Sequence, residues 1–336
     1  MTTLEKWLNV KVKKYDIKRY FYCDWSKKFT PSPAQWLSKK PKDINYCELI
    51  RWPDVDKNHA FFLCANFKND KDTKFNIKRE TKFRNVPFLI SHLQKSIRKM
   101  NANLTIKTTY HLLKKDPLSL IRRLPIIMIE DSALLDQITT LIWLMVFISS
   151  TKYKIKRYML EYILGLVYCI CIDKEWELLD DHEPSKYILK EELDNYNELD
   201  EIQGSILYSL HLRKSYGGMS CDMKLIDKII DKYRVNFMNG IDIKKTKVRS
   251  ISFDMEGLSL DEWDLSAIDF HCSKEVIKKI KERFLHLKED EIKKLIWHNS
   301  SKINKRKESE IYDKENWKLI KEDLKYIQEH TLNCYY

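Results

Sequence analysis

SLIRRLPIIMIEDSALL, residues 119–135, lies at the centre of a stretch, 86–173, in which four or five apolar helical segments follow one another almost without a break. An Arg pair, Arg122 and Arg123, and an acid pair, Glu130 and Asp131, bracket its apolar run. Pro125 interrupts it. Inside a helix a proline removes a hydrogen bond and costs about 3 kcal/mol unless a kink absorbs it, so a bend after Leu124 is expected. Upstream, Phe88, Leu89, His92, Leu93, Ser96 and Ile97 recur on one side of a helix while Gln94, Lys95, Arg98 and Lys99 take the other. Asn103 is placed to cap the next segment, and Asp116-Pro117 opens a third with proline in its first turn. Downstream, the apolar runs 133–149 and 158–172 read as a buried helical hairpin. Both are shorter than the roughly 20 apolar residues a membrane span needs, and they contain Asp136, Gln137 and Glu161.

Working outward from this core, residues 1–85 mix aromatics with bases, and Pro31, Pro33 and Pro41 break any helix there. AFFLCANF, residues 60–67, has the apolar, aromatic character of a short strand. Residues 174–201 form an acidic linker broken by Pro184. Helical periodicity returns from Ile202, divided by the only Gly pair, Gly217-Gly218, and continues in Lys-Glu-rich helices to the C-terminal end. The expected fold is mainly α: a small mixed α/β basic N-terminal region (1–85), a helical core (86–173), the linker (174–201) and a C-terminal helical region (202–336).

With only 6 Gly and 8 Pro the chain lacks the turn punctuation of an all-β fold, and it contains neither a Walker A pattern nor a dinucleotide fingerprint. Nucleotide hydrolysis by a P-loop therefore has no support. The 8 cysteines are scattered without a CxxC pair, which points to free thiols in a reducing compartment rather than to zinc. Net charge is +12, unevenly placed: residues 66–125 hold 15 Lys and Arg against 4 acids, whereas 173–202 hold 12 acids against 3 bases. Polyanions are attracted to one region and repelled by the other.

Four constellations carry candidate chemistry. Arg122, Arg123, Glu130 and Asp131 offer a phosphate clamp or a carboxylate site, against a reading in which Asp131-Ser132 caps the helix from Ala133. Asp261, Glu262, Asp264, Asp269, His271 and Cys272 are the densest run of catalysis-capable groups, with Asp269 and His271 alternating out of an extended segment, against a reading as a capped loop in which His271 is an ordinary hydrogen-bonded residue. Arg213 and Lys214 precede the Gly pair, whose backbone N–H groups could form a phosphate nest or simply turn the chain between helices. Finally, Lys78, Arg79, Lys95 and Arg98 belong to the basic, aromatic N-terminal half, where cations neutralise phosphate and exposed rings stack on single-stranded bases. No cofactor or metal set declares itself.

The order Lys95-Ser96-Ile97-Arg98, Tyr110-His111-Leu112-Leu113, Asp116-Pro117-Leu118, Arg122-Arg123-Leu124 and Glu130-Asp131 resembles the helical collar domain of MgsA-type clamp-loader-like AAA+ proteins. That resemblance implies helical packing and self-association, without the ATPase module. The Lys, Ile and Asn bias, with RRLPIIMIED and AIDFHCS, resembles proteins of large nucleocytoplasmic DNA viruses, which implies a role in replication, transcription or the virion core, in host cytoplasm or virion. The expected function is nucleic-acid-associated accessory or scaffolding work on DNA or RNA, with copies of itself or viral proteins as further partners and no membrane. A metal-dependent nuclease or phosphotransferase and an oligomeric virion component are the alternatives.

Overall fold

The computed structural model describes residues 16–26, 31–53, 59–68, 85–151, 154–179, 196, 199–269 and 274–333. Among the described residues, four strands, β1 (Asp16–Asp24), β2 (Gln35–Leu37), β3 (Tyr46–Arg51) and β4 (His59–Asn66), precede ten α-helices. These are α1 (Val86–Arg98), α2 (Ala102–Lys115), α3 (Pro117–Asp131), α4 (Ile138–Ser150), α5 (Arg157–Ile172), α6 (Glu201–Ser215), α7 (Ser220–Met238), α8 (Lys274–Arg283), α9 (Glu289–Ile296) and α10 (Lys314–Asn333). The protein is mainly helical with a small N-terminal mixed sheet, as its periodicity predicts. Among the described residues no helix is long and apolar enough to cross a membrane.

The chain divides into two compact units, each assembled from three separate segments. The first comprises Met1–Phe75, Leu124–Lys156 and Glu177–Ser250; the second comprises Asn76–Arg123, Arg157–Trp176 and Ile251–Tyr336. Helix α3 runs unbroken through Pro125, and the division between units falls at Arg123/Leu124 within it. The two apolar runs expected to form a hairpin fall in different units: α4 packs against α6 in the first, and α5 against α2 in the second. Hydrophobicity told that each run is covered, not by what.

In the first unit the sheet has strand order β2-β1-β4-β3, with β1 and β4 parallel at its centre and antiparallel strands at both edges. Its inner face is aromatic: Phe21 stacks on Trp36 at 4.4 Å, and Phe61 and Trp52 close around the same indole. Three of the buried indole N–H groups find acceptors, as burial favours. Trp36 Nε1 donates to Ser209 Oγ (3.1 Å), Trp52 Nε1 to Ser215 Oγ (2.9 Å), and Trp143 Nε1 to the carbonyls of Phe21 and Cys64. These small hydroxyls explain why α6 is buried along most of its length despite its polar content. Glu177 ties the same unit together: its carboxylate accepts from Leu134 N (2.8 Å), Tyr233 Oη (2.7 Å) and Lys232 Nζ (2.5 Å). Asp131-Ser132 caps nothing at Ala133, because α4 begins only at Ile138 after an irregular turn; Ser132 instead lends its carbonyl to Glu177 N.

In the second unit α1 ends at a left-handed Met100 (φ 52°), and the cap of α2 is Asn101, whose Oδ1 accepts from Leu104 N, not the expected Asn103. Asn103 sits inside the first turn instead. Asp116 caps α3 as expected, through Ser119 N and Oγ. Arg306 binds the carboxyl ends of two helices, donating to Ile97 O (2.9 Å) of α1 and to Ile170 O (2.9 Å) and Cys171 O (2.7 Å) of α5, with Asp173 O (2.6 Å) just beyond. A planar, always charged fork at two negative dipole ends suits arginine and no other residue. Gly257 passes so close to His111 that a Cβ there would meet Nε2 at 2.5 Å, and this approach lets Leu258 N donate to the same nitrogen (2.9 Å).

Candidate nucleic-acid interface

Three of the cations singled out in the sequence, Lys95, Arg98 and Arg213, serve the interior. Lys95 and Arg98, expected on the solvated side of α1, are buried, and both donate to Ser301 O, at 3.1 and 2.6 Å. Lys95 also lies 3.8 Å from Asp269, which accepts from Ser301 Oγ and is fully enclosed. Arg213 is buried and bonds Gly217 O (2.9 Å) across the turn that joins α6 to α7, with Gly217 at φ 70°. Lys214 pairs with Asp227 at 2.6 Å. Arg123 is half-buried and donates to Gln94 Oε1 (3.1 Å), and Arg122 is half-buried too. Lys78, Arg79 and His271 lie outside the described residues.

The candidate acids are divided between the units. Glu130 and Asp131 belong to the first, Asp264 and Asp269 to the second. Burial works against charge on Asp264, but the Lys99 ammonium at 2.8 Å and the Ser266 hydroxyl at 2.7 Å together hold its carboxyl below the usual range. Its backbone N–H donates to Nε2 of His92 (2.9 Å), so the other ring nitrogen carries the proton and donates to Thr108 Oγ1 (2.6 Å). His92 is stacked on Trp263 at 4.2 Å and desolvated, which pushes its pKa down to about 4 and keeps it neutral. Nearby Glu262 is held down to about 2 by Lys107, 2.5 Å away. Among the described residues no three His, Cys, Asp or Glu side chains are grouped to hold a metal ion.

The outer face of the sheet is different. Register places Leu37, Tyr20, Phe62 and Leu49 in one row across all four strands, and Gln35, Tyr22, Cys64 and Cys47 in the next. Tyr20 and Phe62 stack at 5.3 Å with planes 12° apart, and Tyr20, Tyr22, Phe62, Leu37 and Leu49 are all half-exposed. Tyr22 Oη reaches Asp43 O (3.4 Å), bringing the β2–β3 connection, with exposed Lys39, Lys40 and Lys42, along this face. Lys40 is near enough to bias the thiols of Cys47 and Cys64. Half-burial raises the Tyr20 phenol and pushes that of Tyr22 up to about 12, so both rings stay neutral hydrogen-bond donors.

A second basic surface lies on α10, in the other unit. Lys314, Lys318, Lys321 and Lys325 recur every three or four residues and so share one side of the helix. Lys321 and Lys325 border an open cleft of about 460 Å³ with Lys99, Trp263, Asp264 and Trp317. Both surfaces depend on which side of an element is left uncovered; the sequence signal for the second was the lysine spacing in 314–325.

The architecture is thus a mainly helical chain whose mixed sheet turns aromatic, lysine-edged residues outward. No family model matches the chain, and no curated protein or solved structure matches it.

Proposed function

We propose that this protein is a nucleic-acid-associated accessory factor that holds single-stranded DNA or RNA on the outer face of its sheet. The observation that carries the reading is the half-exposed Tyr20–Phe62 stack on the two central strands, with Tyr22 beside it and Lys39, Lys40 and Lys42 along its margin. Bases have π-faces whatever their sequence, and stacking on such rings contributes about 1–3 kcal/mol per base while lysines neutralise the backbone. A duplex hides those faces and binds less well. The candidate acids of the second unit are engaged with Lys99, Lys95 and Ser301, an arrangement that supports the fold rather than nuclease chemistry. On the resemblance to DNA-virus proteins, the setting is replication, transcription or the virion core.

Fluorescence anisotropy with labelled single- and double-stranded DNA and RNA across a salt series tests this. Single strands bind more tightly, with log affinity falling by about 0.7 per phosphate contact for each log unit of salt. Tyr20→Leu and Phe62→Leu, checked for an unchanged circular dichroism spectrum, each weaken binding by about tenfold or more, in line with one lost stack. No binding at low salt overturns the proposal. So does binding that ignores both ring substitutions but vanishes with Lys321→Ala and Lys325→Ala, which would move the interface to α10.

A further inference from the structure

Cys47 and Cys64, scattered thiols in the sequence, are brought directly opposite each other on neighbouring antiparallel strands, with sulfurs 3.0 Å apart. The ladder also fixes which kind of opposite pair they are. Trp52 N donates to His59 O (3.0 Å), marking Trp52 and His59 as a hydrogen-bonded pair. Pairs alternate along an antiparallel ladder, so five steps back Cys47 and Cys64 form a non-hydrogen-bonded one. Such pairs have the close Cα approach, about 4.5 Å, that lies within the roughly 4.4–6.8 Å a disulfide spans. The pair is therefore within the separation a disulfide bridges.

The two sulfurs are unequal. Cys47 is exposed and Cys64 is buried. The two thiols share a hydrogen bond in which either can donate, and that bond together with the Lys40 ammonium lowers the Cys47 pKa against the effect of its burial. The same bond and desolvation push the Cys64 thiol up. Tyr20 and Tyr22, the phenols on this face, remain neutral. Cys47 is therefore the accessible nucleophile and Cys64 the sulfur behind it.

We propose that Cys47 and Cys64 are an oxidisable pair that closes into a cross-strand disulfide on reaction with a low-molecular-weight disulfide such as oxidised glutathione. The Cys47 thiolate attacks one sulfur of the reagent, the reagent's S–S bond breaks, and one thiolate leaves, giving a mixed disulfide. Cys64 then loses its proton, its sulfur attacks Cys47 Sγ, and the second reagent thiolate departs. Two protein thiols have been oxidised to one disulfide and one small disulfide reduced to two thiols, which take up the two protons. The new bond lies in the row that holds Tyr22, so the modification marks the outer face itself.

The test uses the full chain. It is incubated with oxidised glutathione, its remaining thiols are blocked under denaturing conditions, and its peptides are mapped by mass spectrometry. The expected result is a peptide linking Cys47 to Cys64, with two thiols lost per chain and restored by dithiothreitol, while Cys23 and Cys171 stay reduced. Cys47→Ser, a change at an exposed position, abolishes the loss at Cys64; Cys64→Ser stops at glutathione held on Cys47. A native chain that keeps all its thiols, that accumulates glutathione on Cys47 without closing, or that links other cysteines first overturns the proposal.

Discussion

Asp269→Asn removes one charge and almost nothing of the side chain's shape, which makes it a clean probe of the buried cluster in the second unit. Asp269 is fully enclosed, Lys95 stands 3.8 Å away with only 7% of its side chain exposed, and Arg98 shares Ser301 O with Lys95. A pair at that separation is coupled by about 4 kcal/mol at an effective dielectric constant near 20. Removing one member of a buried pair costs about 3–5 kcal/mol, because the remaining cations keep their desolvation penalty without the compensating anion. Against a total stability of about 5–15 kcal/mol, that is a large fraction. In urea the unfolding midpoint of the second unit falls by about 1–3 M at an unchanged slope. The double substitution Lys95→Met/Asp269→Leu recovers most of the loss, since an apolar pair carries no desolvation penalty. If Asp269→Asn unfolds at the midpoint of the native protein, the carboxylate is not tied into the fold as described, and a chemical role for it returns.

Other expectations follow from the same contacts. Arg306→Lys keeps the charge but not the fork, so a single ammonium leaves carbonyls of α1 or α5 unsatisfied; a loss of about 3 kcal/mol in urea unfolding is expected, and one below about 0.5 kcal/mol refutes the stapling role. Acidification separates the two units. His92, at about 4 when folded against about 6.5 unfolded, gives the second unit stability that is complete above pH 6.5 and is lost as pH falls towards 4, because the unfolded chain binds the extra proton. In the first unit His211, desolvated to about 3, acts in the same sense, but Asp136, raised by burial to about 6, gains stability over the same fall from pH 6 to 4 and offsets much of it. Hydrogen exchange between pH 7 and 4 therefore shows the second unit opening first, and the reverse order contradicts this accounting.

Local features were legible because local interactions cause them. Asp116-Pro117 starts a helix, 60–67 is a strand to within a residue, and Gly217-Gly218 turns the chain, each from propensities a short window contains. The cap of α2 shows the limit. Asn103 reads as the cap from the sequence, but the left-handed Met100 follows the end of α1 and Asn101 takes the position. The site was less legible than the fold. Lys95, Arg98 and Arg213 read as polyanion ligands, and a lysine or arginine looks the same in sequence whether water or Ser301 O surrounds it. Tyr20 and Phe62 were present in the basic, aromatic N-terminal half, but their outward position depends on a β1–β4 pairing forty residues apart.

What the amino-acid sequence determined by itself was a mainly helical chain with an N-terminal strand, because spacing and composition act over one or two turns. What only the tertiary structure decided was which apolar side meets which, and so which cations are enclosed, which rings face outward and which two cysteines touch. Periodicity states that one side of an element must be covered; long-range packing alone selects the cover.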